Sequence, residues 1–177
     1  TAMGAAREIV RMVQANPSAA ITYATGETMI LVYAHLAQAV QGGEVSFAKT
    51  MGFHLDEYYP VGSESDFSFV SYLRQRVFDP LGIERANEMN GLAPDPNAET
   101  RRYDGLLNAQ PIDLAILGIG PWCDITQSGC HIAFNESGTP FSSRTHVAEL
   151  NEVTVMRDRQ ERGQDTPGRA LTQGIGN

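Results

Sequence analysis

Residues 19–24, AAITYA, constrain the fold most: an uncharged apolar run follows a helix stop at Asn16-Pro17 and breaks directly into the polar turn TGET (25–28). Such a run reads as a short buried strand. From about Met29 to Gln41 the apolar positions take helical spacing, and Gly42-Gly43 is a pair suited to ending a helix in the left-handed conformation. Strand, polar turn and helix make half of a βαβ unit. TMGFHL (50–55) is the next strand candidate, and IDLAILG (112–118) is continuously apolar, as a strand covered on both faces should be. DFSFVSYLRQRVFDPLG (66–82) predicts a helix stopped by Pro80 and Gly82, and residues 89–110 predict a turn-rich link into another. Strands alternating with helices predict an α/β fold with a parallel, doubly wound sheet and right-handed crossovers. Ligands of such sheets bind beyond the carboxyl ends of strands, so the polar groups at 25–28, 56–58 and 120–136 are expected at one rim.

The 177 residues suit one domain spanning 1–177 with a sizeable core. No apolar run approaches the length of a membrane span, so no membrane partner is expected. Net charge is −8, and the basic residues, twelve Arg and Lys49, never cluster, which argues against a nucleic-acid surface and favours a small molecule. An acidic chain still binds an anion locally, through helix N-termini and loop amides. The N-terminal TAMGAAREIVRMVQ reads as an amphipathic helix rather than a secretory signal, and only two cysteines occur, so a cytoplasmic, reducing location is expected. After Thr145 a short strand, a charged helix or loop, and a last strand are legible.

Four places carry candidate chemistry. In TGET the hydroxyls of Thr25 and Thr28 and the amides at the next helix's N-terminus can cradle a phosphate; the plainer reading is a Thr N-cap and a Gly turn. In LDEYY (55–59) Asp56 stands at a strand end, where a carboxylate in a partly dry cleft can shuttle a proton on a carbon acid; the alternative is a solvated loop acid. Tyr58 beside it is expected to pack rather than react. In HIAFNE (131–136) a carboxylate at Glu136 can fix the tautomer of His131 and raise its basicity, against the reading of His131 as a structural histidine. In GIGPWCDITQSGCH (118–131) Cys123, Cys130, His131 and Asp124 resemble a metal set, but the cysteine spacing fits no zinc knuckle, so no metal is expected. A disulfide closing 123–130 remains a redox alternative.

Taken together, ATGET, FHLDEYY, MNGLAPDPNAETRRY, LGIG, HIAFNESGTPFSSRT and ALTQGIG resemble, in order and context, the glucosamine-6-phosphate deaminase/isomerase family over nearly the whole chain. HIAFNE followed by SSRT is the most specific part, since the sister 6-phosphogluconolactonases differ after their Gly-His. The resemblance implies a three-layer α/β/α, Rossmann-like fold and conversion of glucosamine 6-phosphate and water into fructose 6-phosphate and ammonia, without a metal or organic cofactor. It implies that Asp56 moves a proton between C2 and C1, that His131 opens the sugar ring and that Glu136 supports it. It implies that Thr25, Gly26 and Thr28 hold the phosphate, and Glu27 and Gly120 are taken with them in the binding set. Monomers and homo-oligomers both occur in the family, so assembly is left open.

The chain departs from the family in three places. Extra residues separate the glycine turn from His131, so the family's aspartate beside that histidine has two claimants, Asp124 by chemistry and Gly129 by distance. Family chains continue past GIG with later strands and a phosphate-binding lysine that Lys49 does not match, so the fold is expected to lack its last elements. Arg157 and Arg159 compete for the role of the phosphate arginine. The Arg-x-Lys through which some members are activated by N-acetylglucosamine 6-phosphate reads Arg144-Thr145-His146 here, so that control is expected to be absent or altered. The alternative to a working enzyme is a catalytically impaired member that binds sugar phosphate.

Overall fold

The computed structural model describes residues 1–120, 131–163 and 165–177. Its chemistry-bearing part is organised by a parallel sheet in which β1 (Ala20–Tyr23) runs between β2 (Met51–His54) and β5 (Leu114–Ala115), with β4 (Arg85–Ala86) outside β2. Ala20 pairs with Met51 and Tyr23 with His54, while Ile21 pairs with Leu114 on the other side. Successive strands therefore leave β1 in one direction to β2 and β4, and then return to its other edge with β5. That reversal makes a topological switch point between β1 and β5, where neighbouring crossovers diverge and leave a crevice at the strands' carboxyl ends.

Helices cover both faces of this sheet. On one face lie α1 (Ala2–Ala15), α2 (Glu27–Gln41) and a helical run comprising α3 (Phe69–Leu73), a π-helical stretch over Arg74–Phe78 and α4 (Asp79–Leu81). Ile21 and Tyr23 of β1 pack there with Val10, Val13, Tyr33, Leu36, Leu73 and Phe78. On the opposite face α5 (Pro96–Ala109) brings Tyr103 and Leu107 against Ala20 and Phe53. The period of two along β1 thus divides its side chains between two cores, and all four residues are buried.

A second, antiparallel sheet, which the sequence reading did not anticipate, joins β3 (Asp56–Tyr58), β6 (His146–Glu149) and β7 (Arg169–Thr172) in the order β3-β7-β6. Only Leu55 separates β2 from β3, so the chain passes between the sheets in one residue. Asp56 faces Thr172 in the register. Between β6 and β7 lies α6 (Glu152–Arg162), capped by the Asn151 side chain accepting from the Thr154 amide.

Three element expectations need correction. The 112–118 run contributes only two paired residues, and Ala115 and Leu117 are exposed while Leu114 and Ile116 are half-buried. It is an edge strand, because among the described residues no strand pairs with its outer side. The helix after TGET begins at Glu27, so Glu27 and Thr28 lie in its first turn. The 66–82 helix starts at Phe69, where Ser68 caps it by accepting from the Ser71 amide, and it carries the π-helical stretch. Among the described residues no helix is long and apolar enough to cross a membrane.

Gly91 shows how tightly β3 is backed. Its carbonyl accepts from the Val61 amide at 2.9 Å, and a Cβ on it would stand 2.2 Å from the Val61 oxygen and 2.8 Å from the Tyr58 oxygen. Backbone cannot yield as a side chain can, so Gly91→Ala is expected to cost about 3 kcal/mol, read as a lower denaturation midpoint in urea.

Candidate active site

A cleft of about 400 Å³ opens at the carboxyl ends of β1 and β2, at the switch point. Ala24 to Thr28 enter it from the β1–α2 turn, Leu55, Asp56 and Tyr58 from the passage between the sheets, and Gly118, Ile119 and Gly120 from the segment after β5. His131, Ala133 and Phe134 add a turn, and Thr154, Arg157 and Asp158 come from α6. Asp56, His131, Thr25, Gly26, Glu27, Thr28, Gly120 and Arg157 therefore share one wall-to-wall space. Arg159 does not line it, because Arg157 and Asp158 occupy the turn of α6 that faces the cleft. Asp124, Cys123, Cys130 and Gly129 lie outside the described residues. Among the described residues no group of three His, Cys, Asp or Glu is arranged to hold a metal.

The 25–28 turn is built to present amides. Gly26 is the N-cap of α2 at φ 106° and ψ 163°, a backbone conformation that a Cβ strains, and no side chain caps the helix. Two tyrosine hydroxyls hold the carbonyls of this turn: Tyr33 donates to Ala24 O, and Tyr72 donates to Gly26 O at 2.7 Å. With the carbonyls engaged, the uncapped end of α2 offers N–H groups and the positive pole of the helix dipole to an anion.

His131 is held by a tight turn rather than by a strand. Its amide donates to Ile119 O at 3.0 Å, Ile132 bridges to Asn135, and Ala133 takes the left-handed conformation at φ 51°. The buried Asn135 side chain locks the turn by donating to Ile132 O at 2.8 Å and Gln173 O at 2.7 Å. The turn brings His131 Nδ1 within 3.7 Å of Glu136 Oε2, an ion-pair distance longer than a hydrogen bond. Glu136 itself does not line the cleft; it stands behind His131 and accepts from Thr154 Oγ1 at 2.8 Å and from the amide and side chain of Asn151. Burial works against its charge, but the imidazole, the hydroxyl and the Asn151 amide outweigh burial and hold its pKa below the ordinary carboxylate value. The ionised carboxylate thus faces Nδ1 of the imidazole, the side from which a partner orients an acid–base histidine.

Tyr58 both packs and lines the cleft. Its ring lies 4.8 Å from that of Phe69 and 5.4 Å from that of Phe134, and its hydroxyl donates to Asp158 Oδ2 at 2.6 Å. It faces the same side of β3 as Asp56, two residues before it.

No family model matches the chain. Among curated proteins it is similar to the glucosamine-6-phosphate deaminase of Bacillus cytotoxicus, 36% identical over 170 residues covering 95% of this chain and 61% of the relative. It is also similar to the deaminases of Hahella chejuensis and Shouchella clausii, each 38% identical over 177 residues covering 97% of this chain, and 64% and 68% of those proteins. The chain thus spans less than two thirds of the length of the first two. A solved structure described as a monomeric glucosamine-6-phosphate deaminase superposes with a TM-score of 0.89 at 34% identity, over 98% of this chain and 71% of that one. The chain belongs to the glucosamine-6-phosphate deaminase family. A 6-phosphogluconolactonase from Thermotoga maritima, at 19% identity and a TM-score of 0.66 over 97% of this chain and 73% of its own, shares the fold.

Two buried residues of this family member escaped the sequence reading. Glu57, between Asp56 and Tyr58, points away from the cleft into the N-terminus of α3 and accepts four hydrogen bonds: Tyr58 N and Phe69 N on Oε1, and Ser68 Oγ and Val70 N on Oε2, at 2.7–2.9 Å. Burial raises its pKa, and the four donors hold that rise back. The signal was the alternation itself, which sends 56 and 58 to one face and 57 to the other. His54 is fully buried; its Nδ1 contacts Asp56 O and its Nε2 contacts Met89 N, each at 2.9 Å. A carbonyl accepts and an amide donates, so the ring is neutral with its proton on Nδ1.

Burial lowers the His54 pKa from 6.5 to about 4, against the Asp56 carbonyl and the Glu88 and Glu99 carboxylates, which raise it, and with Arg102, which lowers it further. The unfolded chain takes up this proton near pH 6.5 and the folded chain only near pH 4, so stability falls as pH drops through that window and is whole above it. The loss amounts to about 3 kcal/mol. Urea titrations at pH 7, 5.5 and 4 should show wild type losing this increment relative to a His54→Asn variant, whose side chain has no such titration. Glu57→Gln should cost about 2 kcal/mol, because an amide can accept on only one of the two sides where donors converge.

Proposed function

We propose that this chain carries the deaminating isomerisation of glucosamine 6-phosphate, or of a close amino-sugar phosphate, to the ketose phosphate and ammonia. One observation carries the reading: in a member of this family, Asp56, His131 and the anion-presenting turn 25–28 line a single cleft of a size suited to a sugar phosphate. The phosphate lies at the N-terminus of α2, against the amides of Gly26, Glu27 and Thr28 and the hydroxyls of Thr25 and Thr28, with Gly120 and Arg157 closing the other side. Arg157 is preferred to Arg159 because it lines the cleft.

His131, set 3.7 Å from the Glu136 carboxylate, moves a proton at the ring oxygen and opens the sugar to its aldehyde. Asp56 then takes the C2 proton and returns it to C1. The shift turns the C2 amine into an imine and the C1 carbonyl into an alcohol; water adds at C2 and ammonia leaves. The protein needs to supply only positioned acids and bases for these steps. Asp124 is retained, on its chemistry alone, as the claimant to the role of the family's further catalytic aspartate. Two cysteines in 177 residues favour a reducing cytoplasm.

The impaired, binding-only alternative rests on the extra residues before His131 and on the family's later elements, with their phosphate-binding lysine, which this sequence does not include. The bond from the His131 amide to Ile119 O favours the active reading, since the chain returns to the cleft wall where it left it. Arg144, engaged by Asp104, Asn108 and the Gly176 carbonyl, supports the reading that activation through this position is absent or altered.

Ammonia release from glucosamine 6-phosphate tests the reaction. Wild type should turn over, Asp56→Asn should lose on the order of 10³ in kcat, and Glu136→Gln on the order of 10². Folded wild-type protein that binds fructose 6-phosphate without releasing ammonia would leave the binding-only alternative standing. A thermal shift with fructose 6-phosphate reads that binding.

A further inference from the structure

Beyond the β3–β7 pairing, which sets Glu57 opposite Leu171, both peptide planes that flank the Asp56 Cα are tied by a further hydrogen bond. On the N-terminal side the Leu55 carbonyl accepts from the Gln173 amide at 2.7 Å. On the C-terminal side the Asp56 carbonyl contacts His54 Nδ1 at 2.9 Å. Fixing both planes fixes φ and ψ between them, and hence the direction in which the Asp56 side chain leaves the backbone. His54 is in turn held on every side: Met89 N donates to Nε2, the Tyr103 hydroxyl bonds both its amide and its carbonyl at 2.9 and 3.0 Å, and Gln173 Nε2 donates to its carbonyl at 2.8 Å. The Tyr103 ring packs edge-on against the imidazole at 5.7 Å.

We propose that His54 is a positioning residue for the proton-transfer carboxylate: its Nδ1–H, donated to the Asp56 carbonyl, holds the peptide plane from which Asp56 is aimed into the cleft. The inference rests on the deaminase reading, in which Asp56 carries the proton between C2 and C1. A buried histidine that merely filled space would need a partner for each nitrogen, but not this partner. Here the donor reaches forward two residues to the strand position whose carboxylate lines the cleft, across the single residue at which the chain changes sheets. Misplacement of a catalytic group by an ångström can cost as much as 10²-fold, so this lever acts on rate rather than on binding.

Two variants separate the roles of the two nitrogens. His54→Asn carries an amide N–H where Nδ1–H stood, and His54→Gln carries its amide group where Nε2 stood. Both lose imidazole packing and both are expected to lower the denaturation midpoint. His54→Gln should lose about tenfold to a hundredfold in kcat for ammonia release with KM within about twofold of wild type, and His54→Asn should recover most of that loss. Exchange of the C1 protons of fructose 6-phosphate with deuterated water reads the Asp56 step alone and should follow the same order. Equal kcat in the two variants, or an effect confined to KM, overturns the assignment. So does a ¹⁵N spectrum of the wild-type protein with the His54 proton on Nε2, a measurement that needs neither variant to fold. Wild-type protein that neither releases ammonia nor exchanges these protons overturns the deaminase reading instead, which an Asp56→Asn control, inactive in either case, does not mimic.

Discussion

The hydrogen bond from the Gln173 amide to the Leu55 carbonyl joins the two sheets at the point on which the site depends. Leu55 is the only residue between parallel β2 and antiparallel β3, and Gln173 follows β7 directly. Because β7 pairs with β3, the same stretch that bonds Leu55 also sets Asp56 opposite Thr172. Thr172 in turn accepts from the Phe134 amide at 3.1 Å, and the Gln173 carbonyl accepts from Asn135. The strand that fixes Asp56 thus also fixes the turn bearing His131. Asp56 and His131, 75 residues apart in sequence, owe their common cleft to one short strand, itself distant from both in sequence.

How much of this was legible in the sequence follows from which interactions are local. The β1–turn–α2 unit was readable because apolar run, glycine and helical period lie within about twenty residues, and the turn's position at a strand's carboxyl end follows from the fold class. The gathering of 25–28, Asp56, Tyr58, Gly120 and His131 at one rim was readable for the same reason. The antiparallel sheet was not, since β3 is three residues long and its partner lies beyond residue 168; no local pattern reports such a pairing. The exposure of β5 was misread because continuous apolarity says that a segment is strand-like, while its cover depends on which elements lie outside it. Arg157 could not be told from Arg159, as two positions apart on a helix point in different directions and only the docking of α6 decides between them.

Glu57 and His54 were illegible for a further reason. Each is ionisable in sequence and fully enclosed in the fold, and only the partners reveal why. Glu57 adds to the Ser68 cap of a helix that starts twelve residues later, satisfying two more backbone amides with one carboxylate. Burial of that charge is offset by four donors, which makes it a device for seating α3 against β3 rather than a second catalytic acid. A reader of LDEYY sees two adjacent carboxylates, and the strand's alternation separates their work: one faces the cleft, and the other holds the wall that Phe69 and Tyr58 form.

The segment before His131 is where a change of length ought to matter most to the site. His131 takes its position from groups on both sides of itself, not from the length of chain before it. Upstream its amide is tied to Ile119, downstream Asn135 ties the turn to Ile132 and to Gln173, and Glu136 ties it to the cap of α6. Those bonds fix where the segment must arrive, and the Ile119 carbonyl fixes where it must leave. A loop with both stems so anchored can lengthen at a cost that grows only logarithmically with its size. The left-handed Ala133 is the local strain that this arrangement carries, and it is sustained because Asn135 and Phe134 are held by β7 on the far side.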